Sequence, residues 1–396
     1  MTRHCHVIAT AGAVTLLVVG GVFAQGNKDG QPMRFSIGVS AESSDNRDAA
    51  AENKQENVDI FLRPRLDLYL GNANSLVDLY YAPALRYRTE PGDNQDETDF
   101  QHHAGINLRR ALSERLRVRI SDVLAITDDP AIEENGSVVR GDQSYINNTV
   151  EAGLNYDLFR YSNMDLAVRN RIRRFDDDDV AALSDEDETS VRLQHRRSLS
   201  PTLRTLLTAE YRMYAYEDNA VYTRDFDSVV VAAGLENSFT ENVIGSVSAG
   251  WQTRNHDDEA IDVDDKPYVR ADISGQLNPD LRVGAVAQHG IRDSDAYPYA
   301  SQEFTDFSGF VHSRITQKLR LKVAGTYRMS TYEALDTLLL PGGDENVLVG
   351  DVELAFHAME SLALTVGYRV EDIDADDGVG ASYTKNIARV GATLSF

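Results

Sequence analysis

Arginine recurs at every second position in several stretches of this chain. Arg63 and Arg65, Arg86 and Arg88, Arg117 and Arg119, and then Arg169, Arg171 and Arg173 all keep that spacing, with Arg109 standing alone among them. A guanidinium is permanently charged, and its planar fork matches a carboxylate or phosphate. A period of two places side chains on one face of an extended strand, so each stretch presents a short row of fixed cations. Such rows can select anions that pass along them. They can equally pair with Asp59, Asp67, Asp78, Glu151 and Glu210 across neighbouring strands and simply fill an interior. Both readings stay open. The cluster from Arg63 to Arg119 favours the first, because Asp59, Asp67 and Asp78 are too few to neutralise it. The same parity continues through Arg192, Arg196, Arg204 and Arg212, and more thinly through Arg320, Lys322, Arg328 and Arg369.

These residues need strands to position them, and the intervening positions supply those strands. In 57–70, Ile60, Leu62, Pro64, Leu66, Leu68 and Leu70 alternate with Asp59, Phe61, Arg63, Arg65, Asp67 and Tyr69. After a tight turn at 71–75 the chain returns with Val77, Leu79, Tyr81, Pro83, Leu85 and Tyr87 on the apolar parity. The last residues alternate too: Ala388, Val390, Ala392, Leu394 and the terminal aromatic Phe396 share one face. A long strand that is apolar on one side and charged on the other faces lipid with the first and water with the second. A terminal aromatic on such a strand resembles the assembly signal of bacterial outer-membrane β-barrels. Pro64 predicts a bulge, because proline cannot donate to a ladder. Asp122 falls on the apolar parity of 115–127, and a second bulge turning it inward would reconcile it.

Short links near 71–75, 111–115, 157–163, 199–202, 237–242, 277–280, 315–318 and 357–361 alternate with long ones. The long, acidic links lie near 43–56, 89–98, 127–143, 176–188, 217–225, 255–265, 293–301, 332–345 and 372–381. Short periplasmic turns and long exterior loops are the signature of an outer-membrane barrel. The expected fold is all-β: a single-chain transmembrane antiparallel up-and-down barrel of about 16–18 strands over residues 33–396. Sixteen applies if the strand near Met33 to Ala41 stays out. Closure is required because every backbone group inside a bilayer must be paired.

The beginning of the chain agrees. Arg3 precedes a mostly apolar stretch from Val7 to Phe23, and Val22-Phe23-Ala24 offers the small residues a signal peptidase needs. Residues 1–24 therefore read as a signal peptide cleaved near Ala24, and 25–32 as a short periplasmic lead-in. The only cysteine, Cys5, falls in the leader, so the exported chain needs no disulfide. The formal net charge of −24, made one unit more negative by loss of Arg3, argues against nucleic acid as a partner. Mean hydropathy is −0.37, which suits a barrel because only alternate residues meet lipid. No later apolar run approaches the roughly 20 residues of a membrane helix.

Other chemistry has less support. Asp372-x-Asp374-x-Asp376-Asp377-Gly378 looks like a calcium loop, but its glycine is one place late and Tyr383 stands where a glutamate belongs. Asp176 to Asp179 forms another cluster; both read as solvated loop acid, with divalent cations bridging to lipopolysaccharide as the alternative. His102, His103, His195, His289 and His312 are scattered, and no hydrolase or metalloprotease motif surrounds them or Ser308. No catalytic residue, metal site or cofactor is expected. Trp251 and many of the tyrosines suit interfacial girdles or simply strand propensity.

The segments SIGVSAESSDN (36–46), IFLRPRLDLYLGNANSLVDLYYAPALRYRT (60–89), HHAGINLRRALSERLRVRISD (102–122) and ITDDP (126–130) resemble the outer-membrane β-barrel porin family associated with exopolysaccharide export. The resemblance implies a large single-chain barrel and membership of a polysaccharide-linked group. It supplies neither catalytic residues nor a substrate. The expected location is the bacterial outer membrane. The expected partners are its lipid and lipopolysaccharide, the barrel-assembly machinery and polysaccharide-export components. The expected role is passage of anionic solutes or an acidic exopolysaccharide along the arginines. The alternative is a structural or adhesive barrel whose lumen is closed by salt bridges and whose loops do the work.

Overall fold

The computed structural model describes residues 32–396 apart from 92–95, 128–143, 217–224, 258–263, 295, 297–298, 300 and 334–340. The leader, its cleavage point at Ala24 and nearly all of the lead-in 25–32 lie outside the described residues, as does much of several long links.

The alternating pattern is realised as eighteen antiparallel strands. They are β1 (Met33–Ser44), β2 (Asn57–Asn72), β3 (Ser75–Arg88), β4 (Thr98–Ala111), β5 (Leu116–Thr127), β6 (Tyr145–Phe159), β7 (Ser162–Phe175), β8 (Glu186–Ser198) and β9 (Leu203–Tyr216). The wall continues through β10 (Phe226–Thr240), β11 (Val243–His256), β12 (Asp264–Asn278), β13 (Leu281–Asp293), β14 (Ser301–Arg314), β15 (Leu319–Tyr332), β16 (Gly343–His357), β17 (Leu362–Ala375) and β18 (Tyr383–Ser395). Each strand pairs with its neighbours in sequence, and β1 closes on β18 from Ser36↔Ser395 to Ser44↔Ile387. The first strand is thus part of the wall, and the count is 18. The short and long links alternate as the sequence predicts, but β8 already begins at Glu186 and β17 runs on to Ala375, so the links drawn at 176–188 and 372–381 are shorter than expected. One element was unforeseen, a short helix α1 (Asp178–Ser184) in the link before β8.

Burial follows parity. Ile60, Leu62, Leu66 and Leu70 stand exposed on the outer face, while Phe61 and Asp67 between them are buried. The outside of the closed wall is an apolar belt that removes surface from water only when lipid covers it. The inside is polar. Small apolar clusters occur at the long-link rim: Val347, Val349 and Ile373, and separately Ala296, Tyr299, Tyr332 and Val379.

Two sequence expectations are corrected. Pro64 makes no bulge: the β2–β3 register is the same at Leu62↔Leu85 and Leu66↔Tyr81. In that register Pro64 faces Pro83, so two residues without an N–H concede the same rung and no residue has to be looped out. Nor does a bulge rescue Asp122, since β5 keeps one register with β4 and one with β6 throughout. Asp122 stays on the outer face between Ile106 and Val150, and its Oδ1 accepts a 2.7 Å hydrogen bond from Asn148 Nδ2. A polar neighbour on the same face, rather than a backbone defect, satisfies this carboxylate.

The calcium-like stretch divides between two elements. Asp372 and Asp374 lie inside β17, where Asp372 accepts from Thr384 Oγ1. Asp376 binds back to Asp344 through its side chain. Only Gly378, with φ of +98°, needs the freedom of glycine in this turn.

Candidate functional site: the arginine-bearing lumen and its constriction

Pleating turns the arginine parity inward, but most of these side chains find carboxylates there. Arg63 binds Glu42 at 2.8 Å, and Arg65 binds Asp67 at 2.7 Å while lying over the Tyr80 ring. Arg86 and Arg88 share Asp99 at 2.9 and 2.7 Å, with Asp59 at 3.8 Å from Arg86. Arg117 meets Asp157 at 3.1 Å, and Arg119 meets Asp165 at 2.7 Å and Glu151 at 3.2 Å. Arg109, exposed near the short-link rim, donates to Asn107 at 3.2 Å. The acids that sequence reasoning left out, Glu42, Asp99, Asp157 and Asp165, come from strands whose register it could not fix. This wall is therefore close to neutral, and the shortage of acid foreseen for it does not arise. Farther round, Arg212 binds Glu210 at 2.5 Å, Arg204 binds Glu236 at 2.8 Å, and Arg369 binds Glu371 at 2.6 Å.

The β7–β9 wall differs. Arg171, buried, binds Glu186 at 2.5 Å and Glu188 at 3.1 Å, and Arg173 reaches Glu186 at 3.7 Å. Sequence analysis assigned both glutamates to a solvated link; they open β8 instead and point inward. Their alternation was visible, since Asp187 between them faces outward to Arg174 at 2.6 Å.

Below Glu188 the nearby acids are already engaged. Arg169 lies opposite Glu151 of β6 and Ser190 of β8, but Glu151 is committed to Arg119. Arg192 lies opposite Glu210 of β9, and Glu210 is committed to Arg212. Neither Arg169 nor Arg192 makes an ion pair or side-chain hydrogen bond among the described residues, and Arg169 Nε is buried without a partner. Two guanidiniums on adjacent strands, neither in an ion pair among the described residues, can hold an anion between them.

Above this pair the lumen is narrowed by a segment that sequence analysis read only as a link. β12 and β13 pair as far as Val269↔His289, and beyond that β13 keeps only β14. It leaves the wall at Gly290, where a Cβ would come within 2.7 Å of Gln252 Oε1. Gln252 projects inward from β11 and replaces the missing strand: it donates to Ile291 O at 2.7 Å and accepts from Ile291 N at 3.0 Å. Arg292 Nη2 donates to Gln302 Oε1 and to Ser330 Oγ. Ala296 and Tyr299, from the same tip, pack on Tyr332 and Val379. The result is that Asp293, 1% exposed, lies 4.0 Å from Arg171 although β8 to β12 separate their strands around the wall. No sequence signal marked Gln252 or Asp293, because both depend on a bend between distant strands.

Among the described residues the histidines are not brought together with one another or with Ser308; His289 Nε2 lies 3.6 Å from Glu303. His289 binds Thr305 on the outer face, the face opposite Ser308. His195 Nε2 lies 2.7 Å from Ser162 Oγ on the outer wall, but among the described residues no carboxylate orients the ring as a hydrolytic triad requires. Among the described residues no group of three His, Cys, Asp or Glu side chains suits a metal ion.

A family model described as "Putative beta-barrel porin 2" matches residues 25–396. No curated protein matches the chain. Among solved structures it is similar to OccK2 (OpdF) of Pseudomonas aeruginosa, with 11% identity, TM-score 0.49 and coverage of 92% of this chain and 98% of that one. OpdQ of the same organism gives 12% identity, TM-score 0.48 and coverage of 92% and 100%. OccAB3 of Acinetobacter baumannii gives 8% identity, TM-score 0.46 and coverage of 92% and 99%.

Proposed function

The chain belongs to the beta-barrel porin 2 family, and from that premise we propose that this outer-membrane barrel passes anionic solutes through its lumen. The observation that carries this reading is the pair Arg169 and Arg192, which face the lumen with their cross-strand glutamates already taken. Passage would be passive. Guanidiniums replace water around a carboxylate or phosphate, and weak successive binding lets it leave again. The tip of β13 narrows the path, which favours small solutes over an acidic exopolysaccharide. The protein is read as a channel and not as an enzyme.

Maturation belongs to the same reading. The family match begins at residue 25, which supports removal of 1–24 after Ala24. Phe396 would be read by the barrel-assembly machinery; its ring stacks on Phe35 at 5.9 Å across the closing seam.

The paired wall from Arg63 to Arg119 favours a second reading, a structural or adhesive barrel with a closed, salt-bridged lumen. Planar-bilayer recording of the purified protein separates the two. A salt gradient should give reversal potentials on the anion side. A cation-selective pore would overturn anion passage, and a barrel without conductance under any condition would favour the structural reading.

A further inference from the structure

We propose that the short-link mouth of the lumen carries an anion site of its own, in which Arg34, Arg320 and His357 hold a phosphate group beside the closing seam. The site is separate from Arg169 and Arg192 and stands whether or not the lumen conducts.

Strand order brings these side chains together. Arg34 near the start of β1 and His357 at the end of β16 both stand at the short-link rim, with β18 and β17 between them. Those two strands turn Ala363, Thr393 and Ser395 toward the lumen there, so no bulky side chain fills the space. Arg34 leans across it, its Nη2 donating to Ser395 Oγ at 3.1 Å. Arg320 lies opposite Ala355 on β15, a diagonal neighbour of His357. Both guanidiniums act on the imidazole through their charge.

The carboxylates that could neutralise this corner are engaged elsewhere. Arg34 lies opposite Asp67 of β2, but Arg65 holds Asp67 through three hydrogen bonds. Arg320 lies opposite another cation, Arg314, which is itself bound to Asp280. Glu353, the inward acid of β16 nearest to His357 in sequence, is taken by Lys322 at 2.6 Å. Glu360 stands exposed in the link that follows. Among the described residues Arg34 makes no ion pair and the His357 ring no hydrogen bond. Like charges facing each other are destabilising, and a bound anion offsets that cost.

The ligand class follows from the arrangement. Donors reach the space from two sides, Arg34 from β1 and His357 with Arg320 from β16 and β15. A bound anion must therefore point oxygens in more than one direction. A phosphate does so and brings nearly two charges to two guanidiniums. The three side chains face the lumen, whereas Phe35 and Phe356 beside them are exposed on the lipid face. The phosphate therefore belongs to a solute and not to a headgroup of the surrounding bilayer. Short links face the periplasm in such barrels, so the solute meets this site from that compartment.

The test uses the full exported barrel folded in detergent, with inorganic phosphate as the probe and chloride at matched ionic strength as the reference. Diethylpyrocarbonate modifies accessible imidazoles, and mass spectrometry of the peptides reads each histidine separately. Phosphate at about four times its dissociation constant should slow modification of His357 about fivefold, by mass action. His103, opposite Ala82 on the β4 wall of the same lumen, should be unaffected. Arg34→Gln should raise the phosphate concentration needed at least about tenfold, as loss of a hydrogen bond to a charged group implies. Ala363→Glu, which sets a carboxylate in the space and keeps every cation, should abolish protection. Mobility on unboiled gels controls for assembly of each variant. Protection that is absent, equal at His103, or unchanged in either assembled variant overturns the site. The readout needs no current, so a barrel that fails to conduct overturns anion passage alone, and failed protection overturns this site alone.

Discussion

On the lipid-facing side of the wall, Asn148 Nδ2 donates a 2.7 Å hydrogen bond to Asp122 Oδ1. The surrounding positions Ile106, Ile120, Leu124 and Val150 are apolar. The pair is therefore a matched donor and acceptor in a belt that offers neither, and the two residues should not respond alike to removal. Asn148→Leu strands a carboxylate against lipid and should cost roughly 1–3 kcal/mol. Asp122→Leu completes the belt and should be neutral or stabilising. Urea unfolding of the barrel in liposomes reads both. Equal destabilisation would show that the pair is not autonomous.

Face, rather than composition, should govern tolerance in β2. Leu66, 41% exposed, looks out; Arg65, its neighbour, looks in at Asp67. Leu66→Arg should impair assembly by about 2–4 kcal/mol if it sits near the bilayer midplane. Arg65→Leu should still yield the compact, heat-modifiable band on gels. Equal yields of folded barrel from the two variants would reverse the assigned facing.

Selectivity should follow unpaired charge. Removing both members of the Arg65–Asp67 pair leaves the lumen's net charge unaltered, so Arg65→Leu with Asp67→Leu should leave the reversal potential where it was. Arg169→Gln with Arg192→Gln removes two cations that make no ion pair among the described residues and should move it toward cations. A larger shift from the first double variant than from the second would refute the distinction.

One loop carries a pH signature. Hydrogen bonding from Arg47 holds the Asp48 carboxyl below its ordinary value of 3.8. A depressed value means that the contact stabilises the folded loop fully above the ordinary carboxylate range. That support disappears as pH falls through the lowered value. Proteolysis of 45–56 should therefore be unchanged from neutrality to about pH 4 and accelerate only below it, by a small factor because the pair is half exposed. Acceleration beginning near pH 6 would assign the effect to another group.

Strand positions and facings were legible because lipid on one side and water on the other impose a period of two that no neighbouring strand can override. Residues 60–70 and 388–396 show it without exception. Pairing was not legible. Whether Arg119 meets Glu151, and so leaves Arg169 without it, depends on which rung of β6 faces which rung of β5 and β7. Asp122 and Pro64 were misread for a related reason. Each breaks a local rule, and the compensation lies on another strand, in Asn148 and Pro83. The bend at Gly290 was invisible because its cause, Gln252, is two strands away.

The seam between β1 and β18 sets the order of events during biogenesis. Ser36 pairs with Ser395, so the first strand of the wall waits for nearly the last residue before it has a second partner. Joining ends so distant costs entropy that grows only slowly with chain length, but it cannot happen early. Until then every intermediate has two open edges, each able to pair with another chain. The protein is thus most vulnerable to aggregation in the interval before its final strand arrives.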